Sequence, residues 1–276
     1  GRLDLFGGIV FAPAIALILL SINALSSCAE TPYPAIVLGG IGIVMMAIWV
    51  RHELRHEKPL IDVRLLKNRH ILWANLSIFF AGAGPLIAIT VLIPFFQQPL
   101  WTGTGFGVSA TATALIKLPA NGTSILAAIG AGLLASRYGV RTILVAAALI
   151  STAGWALIVA KHDVLLWVAT LQIVALVPMQ AVLFSLTPRA IMLVAPPERT
   201  SESTGLTQVV RALGQAFGVQ IMGFLLSRSV VSSAAHQGSY PSAQAYQFAF
   251  LEMLLFSFLA LVALLGLPRR QPKEVA

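Results

Sequence analysis

Residues 202–226 read ESTGLTQVVRALGQAFGVQIMGFLL, and from Thr204 onward this stretch is apolar and long enough to cross a lipid bilayer as a helix. Arg211 nevertheless lies within it. The residues three, four or seven positions away share its helix face and are small or polar: Thr204, Thr207, Gln208, Gly214, Gln215 and Gly218. We expect Arg211 to face the protein interior, and Gly214 and Gly218 to let a neighbouring helix approach closely. The alternative is that Arg211 snorkels to the nearer membrane surface.

The composition indicates a membrane protein. Of the 276 residues, 58% are hydrophobic and only 10% are charged, whereas a soluble domain carries about 25% charged residues. The formal net charge of +8 does not indicate nucleic-acid binding, because the basic residues occur in short patches between apolar runs. The single Cys28 excludes an internal disulfide and fits no metal-binding spacing, and we expect neither a metal nor a cofactor.

Eight stretches reach the length of about 20 apolar residues that a membrane-spanning helix needs. They are residues 5–25, 33–50, 70–97, 107–135, 142–161, 164–188, 204–226 and 246–267. The sequence therefore predicts an all-α, polytopic membrane helix bundle of about eight transmembrane helices.

The distribution of lysine and arginine predicts the orientation of the bundle. An even number of spans places both chain ends on one side. Fourteen of the 18 lysine and arginine residues lie on that side, Lys161 and Arg228 lie on the other, and Lys117 and Arg211 lie inside spans. Cytoplasmic loops carry the excess of positive charge. We therefore expect an integral multi-pass membrane protein with both chain ends in the cytoplasm.

A polar segment separates the first two spans from the other six. Residues 1–51 are predicted to form a transmembrane linker hairpin of two helices, and 52–69 a basic cytoplasmic loop. Residues 70–267 are predicted to form a six-helix unit, and 268–276 a cytoplasmic tail.

Prolines are predicted to break two helices of the six-helix unit, because proline removes a helical hydrogen bond and kinks the chain. Pro85 and Pro94 lie in its first span, and Pro178 and Pro188 in its fourth. Interrupted helices at equivalent places of two three-helix repeats are typical of a transporter's binding site.

Several polar residues lie inside predicted spans, where a charge is costly. Lys117 is predicted near the membrane midplane, on a stripe that includes Asn121, and we expect both to line a cavity; the alternative is a snorkelling lysine. Glu252 is the only acidic residue inside a predicted span and is a candidate for a proton pathway, unless it lies at the outer membrane interface. Three uncharged residues complete the candidate substrate and proton pathway: Asn75, Gln172 and Gln180.

Two stretches resemble motifs of a known family. GLLASRYGVRTIL at 132–144 is similar to the loop motif of the C-terminal half of the major facilitator superfamily. EKPLIDVRLLKNR at 57–69, together with 203–223, resembles the fourteen-span drug:proton antiporter branch of that superfamily, whose members act in multidrug efflux. The resemblance covers nearly the whole chain. It implies that the first two spans join two six-helix halves, that 70–267 is the C-terminal half, and that the N-terminal half lies outside this chain.

The resemblance also implies an activity. Members of this branch export hydrophobic, often cationic compounds in exchange for protons by alternating access. The expected partners are therefore the lipid bilayer, the missing N-terminal six-helix half, a small-molecule substrate and protons, with no nucleic acid. The loop motif implies a cytoplasmic gating loop, although Ser136 replaces its usual acidic residue. The residues of this loop are Gly132, Arg137, Gly139 and Arg141.

The sequence leaves two other functions open. One is a truncated or structural membrane bundle without transport of its own. The other is a carrier of the same superfamily for another substrate, such as a sugar, a peptide or a siderophore. We do not expect an enzyme, because the sequence contains no grouping of a nucleophile with a base and no glycine-rich phosphate loop.

Overall fold

The computed structural model describes residues 5–27, 33–56, 63–192, 200–233 and 235–267. The helices in these ranges are α1 (Leu5–Ser27), α2 (Tyr33–Arg55), α3 (Arg69–Ala83), α4 (Ile89–Gln97), α5 (Ala110–Tyr138), α6 (Val140–Ala160), α7 (Leu165–Met192), α8 (Thr200–Ser227) and α9 (Ala243–Leu265). The strands are β1 (Val230–Ser233) and β2 (His236–Pro241). Residues 1–4, residues 57–62 of the predicted basic loop and the predicted tail 268–276 lie outside the described residues.

The prediction of eight spans is confirmed. α3 and α4 together form one span, and with the seven other helices they give eight segments, within the described ranges, that are long and apolar enough to cross a membrane. The chain is thus an all-α membrane helix bundle. We call the end of the bundle that carries the C-terminus of α2 and the turn between α5 and α6 the basic face, and the end that carries β1 and β2 the sheet face.

Capping residues fix where the helices begin. The side-chain oxygens of Asn68, Ser109 and Ser242 accept hydrogen bonds from the backbone N–H groups of the first turns of α3, α5 and α9. α5 therefore begins three residues later than predicted and α9 three residues earlier. α8 begins four residues earlier than predicted, at Thr200. These shifts change the distance of every polar residue in these spans from the start of its helix.

The first span of the six-helix unit is broken once. α3 ends before Gly84, which adopts φ −127° and ψ −97°, and a 3₁₀ turn at Pro85–Ile87 leads into α4. The predicted breaks at Pro94, Pro178 and Pro188 are wrong, because α4 continues through Pro94 and α7 continues through the other two. Neighbouring helices in a membrane bundle support a helix around a proline, which removes only one backbone donor. The two spans are therefore not interrupted in the same way.

Two apolar cores hold the six-helix unit together. The core near the basic face joins α3, α5, α6, α7 and α9, and its largest fully buried residues are Leu144, Met179, Leu186 and Leu264. The core near the sheet face joins α4, α6, α7 and α9 around aromatic residues: Phe95, Phe96, Trp155, Tyr246 and Phe250. The broken span belongs to both cores, because α3 lies in the first and α4 in the second.

The helices α1 and α2, together called the α-hairpin, pack against each other and against α8. A Cβ atom at Gly42 would lie 2.7 Å from Cγ1 of Ile18, so the two helices touch at this glycine. The C-terminus of α2 is held by Arg64, whose Nη2 donates to the backbone oxygen of Leu54 at 2.6 Å and to that of His56 at 3.3 Å. A small cluster joins the α-hairpin to α3 and α8: Trp49, Leu65, Ile71 and Leu206.

The segment after α8, which the sequence indicates as a short polar loop, contains the two antiparallel strands β1 and β2. A two-stranded hairpin is only marginally stable alone. Here Gln98 supports it, because its Nε2 donates to the backbone oxygen of Pro241 at 2.8 Å and to Oγ1 of Thr102 at 3.0 Å. The ring of Trp101 also packs edge-on against Tyr240, with centroids 5.6 Å apart.

The orientation of the bundle is tested by cysteine labelling in a Cys28→Ser background. Ser136 on the basic face and Ser239 on the sheet face are both exposed. With the basic face in the cytoplasm, Ser239→Cys should react with a membrane-impermeant thiol reagent on intact cells. Ser136→Cys should react only after the membrane is opened. Cys28→Ser alone measures the background, and the opposite labelling pattern would reverse the orientation.

Candidate functional site

A contact between the backbones of α3 and α8 forms the frame of the candidate site. A Cβ atom added at Gly214 or Gly218 would clash with backbone carbonyl groups of α3. From the other side of the interface, a Cβ atom at Gly82 would lie 2.9 Å from the backbone oxygen of Arg211. These glycines therefore set the spacing of the two helices and fix the backbone of Arg211 against α3.

Arg211 lies deeper in its helix than the sequence predicts. α8 begins at Thr200, so Arg211 is about 16 Å from the helix start, or three turns rather than two. The side chain is half-buried. Its guanidinium carbon lies 4.8 Å from the ring centroid of Phe184 in α7, a distance at which a cation is attracted to an aromatic face. Arg211 thus connects α8 to α7 as well as to α3.

Arg211 borders a small cleft between α3, α7 and α8. The cleft has a volume of about 30 Å³, which is about the room of one water molecule. α8 supplies a polar wall, while α3 and α7 supply apolar side chains. The lining residues are Ile78, Leu183, Phe184, Pro188, Thr204, Thr207, Gln208 and Arg211.

Asn75 lies at the same helix interface. It is one turn before Phe79, the residue of α3 whose backbone meets Gly214. The side chain is buried, and its Nδ2 donates to the backbone oxygen of Ile71 at 2.8 Å. Its Oδ1 has no hydrogen-bond partner among the described residues. A buried acceptor without a partner costs about 1–3 kcal/mol, so Oδ1 offers a bond to water or to a ligand.

Gln172 and Gln180 of α7 support neighbouring backbones beside prolines. Nε2 of Gln172 donates to the backbone oxygen of Ile116 at 3.2 Å, three residues before the proline inside α5. Nε2 of Gln180 donates to the backbone oxygen of Pro85 at 3.2 Å, where α3 breaks. Their amide groups thus bind backbone that a proline disturbs, and their place in a substrate pathway stays a prediction.

Lys117 is shallower than the sequence predicts. It lies seven residues after the start of α5, about 10 Å along the helix instead of the roughly 15 Å that a start at residue 107 gives, and its place near the membrane midplane stays a prediction. The difference arises because Ser109 delays the helix start. Lys117 is half-buried, and Asn121, one turn further along α5, is exposed.

Glu252 is deeper than the sequence predicts. It is the tenth of the 23 residues of α9 and therefore lies near the centre of this helix, three residues further from its start than a span beginning at residue 246 gives. It is 5% exposed, and neither carboxylate oxygen has a hydrogen-bond partner in the described part of the chain. Gly84, at the break after α3, packs on α9 beside Phe256, because a Cβ atom there would lie 2.6 Å from Cβ of Phe256. Glu252 thus lies one helical turn from this contact.

The predicted gating loop forms the tight turn between α5 and α6. Gly139 adopts φ +85°, which favours glycine, and lets α6 start directly after α5. Arg141 donates from Nε to the backbone oxygen of Leu267 at 2.6 Å and from Nη2 to that of Leu265 at 2.9 Å. Arg137 is exposed and lies beside the ring of Tyr138, and Gly132 is half-buried in α5. Arg141 therefore ties this turn to the end of α9.

Some contacts that shape the site have no signal in the sequence. Phe184 is one of many apolar residues of α7, and nothing in its spacing indicates that its ring contacts Arg211. Arg64 and Arg141 each cap the end of a distant helix, although the sequence shows them only as members of basic patches. Among the described residues, no group of three or more His, Cys, Asp or Glu side chains is placed to hold a metal ion.

Eight spans, with polar groups collected at helix interfaces inside the bilayer, define an integral multi-pass membrane protein. The particular family follows from comparison with known proteins. Residues 5–219 match the model of the Major Facilitator Superfamily. The chain belongs to this superfamily of membrane transporters.

Three curated relatives show which kinds of transporter the chain is similar to. It is 28% identical over 236 residues to the uncharacterized MFS-type transporter YwoD of Bacillus subtilis (strain 168), covering 85% of this chain and 50% of YwoD. It is 25% identical over 274 residues to the putative multidrug resistance protein MdtD of Pectobacterium atrosepticum (97% and 54%). It is 26% identical over 232 residues to the riboflavin transporter RibZ of Clostridioides difficile (82% and 47%). The chain thus spans about half the length of these relatives.

Substitution of Gly218 tests the contact between α3 and α8. Gly218→Ala should lower stability by about 1–3 kcal/mol, because the added methyl group forces α8 away from α3, and Gly218→Leu should lower it further. Gly223→Ala is the matched control, since Gly223 lies on α8 with open space around it and alanine favours helix. Thermal melting in detergent measures all three variants. Equal melting temperatures for the alanine variants at 218 and 223 would contradict the close contact.

Proposed function

We propose that this chain is the linker hairpin and C-terminal half of a secondary active exporter of hydrophobic or cationic small molecules, coupled to proton entry by alternating access. The complete transporter also contains an N-terminal six-helix half and lies in the bacterial plasma membrane with both ends of this chain in the cytoplasm. The observation that carries the proposal is Glu252, a carboxylic acid buried near the centre of a membrane-spanning helix.

Glu252 is suited to carrying a proton because of its surroundings. A buried carboxylate is costly unless it is paired, and its oxygens lack a hydrogen-bond partner in the described residues. Its charge is therefore tolerated only when water or a cation reaches it. The neighbouring break at Gly84–Pro85 is a point where α3 and α4 bend relative to each other. We propose that movement at this break opens and closes the access of Glu252 to water.

Exposed polar residues inside spans support the presence of a second half. Asn121 on α5 and Gln208 on α8 are exposed, although both lie within membrane-spanning helices. Polar side chains in such helices usually face a protein interior or a water-filled path. We propose that these faces of α5 and α8 meet the N-terminal half across a substrate pathway.

Arg211 and Lys117 have different proposed roles in this pathway. Arg211 is held by Phe184 and by the contact of its backbone with Gly82, so it orders the cleft and keeps it polar rather than binding a cationic substrate. Lys117 is half-buried in the outer half of α5. Its positive charge there lowers the affinity of that part of the pathway for a cation.

Replacing Glu252 tests proton coupling. In the complete transporter, Glu252→Gln keeps the shape of the side chain and removes its exchangeable charge. A pH gradient across inverted membrane vesicles should then no longer drive ethidium accumulation, while exchange of labelled for unlabelled ethidium continues. Ser257→Ala, another buried polar position of α9, is the control and should keep gradient-driven transport. Undiminished gradient-driven transport by Glu252→Gln would show a purely structural role.

Replacing Arg211 tests the role of the cleft. Arg211→Ala should fold with a loss of stability below about 2 kcal/mol, the upper range of a cation–π contact, yet export ethidium poorly. Arg211→Lys keeps the charge but loses the planar group that stacks on Phe184, so it should restore export only in part. Arg228→Ala is the matched control, because Arg228 is exposed at the end of the same helix beside Phe224. Normal export by Arg211→Ala would mean that the arginine only snorkels.

A second candidate function is a carrier for another substrate, and the similarity to a relative named as a riboflavin transporter favours it. Uptake into inverted vesicles of ethidium and of riboflavin, measured side by side under the same pH gradient, separates the two. Accumulation of riboflavin without accumulation of ethidium would support riboflavin transport in place of drug efflux. A third alternative, a structural bundle, predicts no accumulation of any substrate even when the N-terminal half is present.

A further inference from the structure

The exposed side of α2 carries an apolar groove that ends in two arginines. The groove has a volume of about 810 Å³, and its walls come from α2 with Ile18 of α1. Ile43, Val44, Ala47 and Ile48 are exposed along it. Arg51 and Arg55 close the groove at the basic face, and both are exposed. A surface of this kind presents apolar contact at one end and positive charge at the other.

We infer that this groove binds an anionic phospholipid, with one acyl chain along α2 and its phosphate between Arg51 and Arg55. The two arginines are four residues apart and therefore lie side by side on one face of the helix, with Cβ atoms about 5–6 Å apart. Guanidinium groups bind phosphate oxygens in pairs. No acidic side chain is among the described residues that line the groove, so nothing there opposes a negative headgroup.

The length of the groove matches one leaflet of a bilayer. From Ile43 to Arg51 the helix rises about 12 Å, and to Arg55 about 18 Å, whereas half of the hydrocarbon core is about 15 Å thick. The arginines thus lie at the depth of the headgroups when the apolar part of the groove lies in the acyl chains. Phosphatidylcholine would fill the groove equally well and also carries a phosphate, but its trimethylammonium group brings a positive charge beside the two guanidinium groups and cancels the net charge of the headgroup.

Lipid retention by the purified full chain tests the inference. Detergent-solubilised protein is mixed with dioleoyl phosphatidylglycerol or dioleoyl phosphatidylcholine, and bound lipid is counted by native mass spectrometry. The natural sequence should prefer phosphatidylglycerol. Arg51→Gln and Arg55→Gln should each lower that preference about fivefold, the factor that corresponds to about 1 kcal/mol per basic residue near anionic lipid. Ala47→Trp, which fills the groove without changing its charge, should lower retention of phosphatidylglycerol as strongly.

Two controls separate a built site from general attraction. Arg137→Gln removes an exposed positive charge from the same face but away from the groove and should leave the preference unchanged. Glycerol phosphate, the headgroup without its chains, should not compete at equal concentration. The inference fails if Arg137→Gln acts like the groove arginines, if Ala47→Trp has no effect, or if glycerol phosphate competes. It also fails if the natural chain shows no preference, the result expected when another helix covers the groove.

Discussion

The contact between α3 and α8 is one between two backbones, and the rest of the site depends on it. Gly82, Gly214 and Gly218 leave no side chain between the helices. Apolar burial drives little association within a bilayer, because lipid is as apolar as the protein, so close packing of small residues supplies much of the attraction. Since no flexible side chain lies at the contact, α3 and α8 cannot adjust their spacing separately.

In other helices, glutamine side chains donate hydrogen bonds to backbone oxygens near prolines. The 3₁₀ turn after Gly84 leaves backbone groups of the first span outside regular helix, and Gln180 donates to one of them. Gln172 does the same beside the proline of α5. An amide side chain satisfies such a carbonyl without introducing a charge into the bilayer. α7 therefore supports the break after α3 and the backbone of α5 near its proline, although α7 contains two prolines and stays helical itself.

The spans of this protein are predictable from sequence because apolar length is a strong signal, whereas the depths of Lys117, Arg211 and Glu252 are not read from length alone. Depth depends on where each helix begins, and capping residues decide this for α5 and α9. Ser109 and Ser242 could have been recognised as caps from their positions just before apolar runs. The partner of Arg211 could not, because Phe184 reaches it through the packing of α7 on α8. The prolines gave wrong predictions of helix breaks, because the effect of a proline on its helix depends on the neighbouring helices.

The hydrogen bond from Gln98 to Pro241 joins residues 143 positions apart in the chain. At synthesis rates of about 5–20 residues per second, this separation corresponds to about 7–30 s. The amide of Gln98 is therefore made long before its acceptor exists, and the end of α4 has to remain without this bond until α8 and the strands after it have been made. The hairpin of β1 and β2 is consequently joined to the end of α4 only late in synthesis. Any factor that protects unfinished spans has to act through that interval.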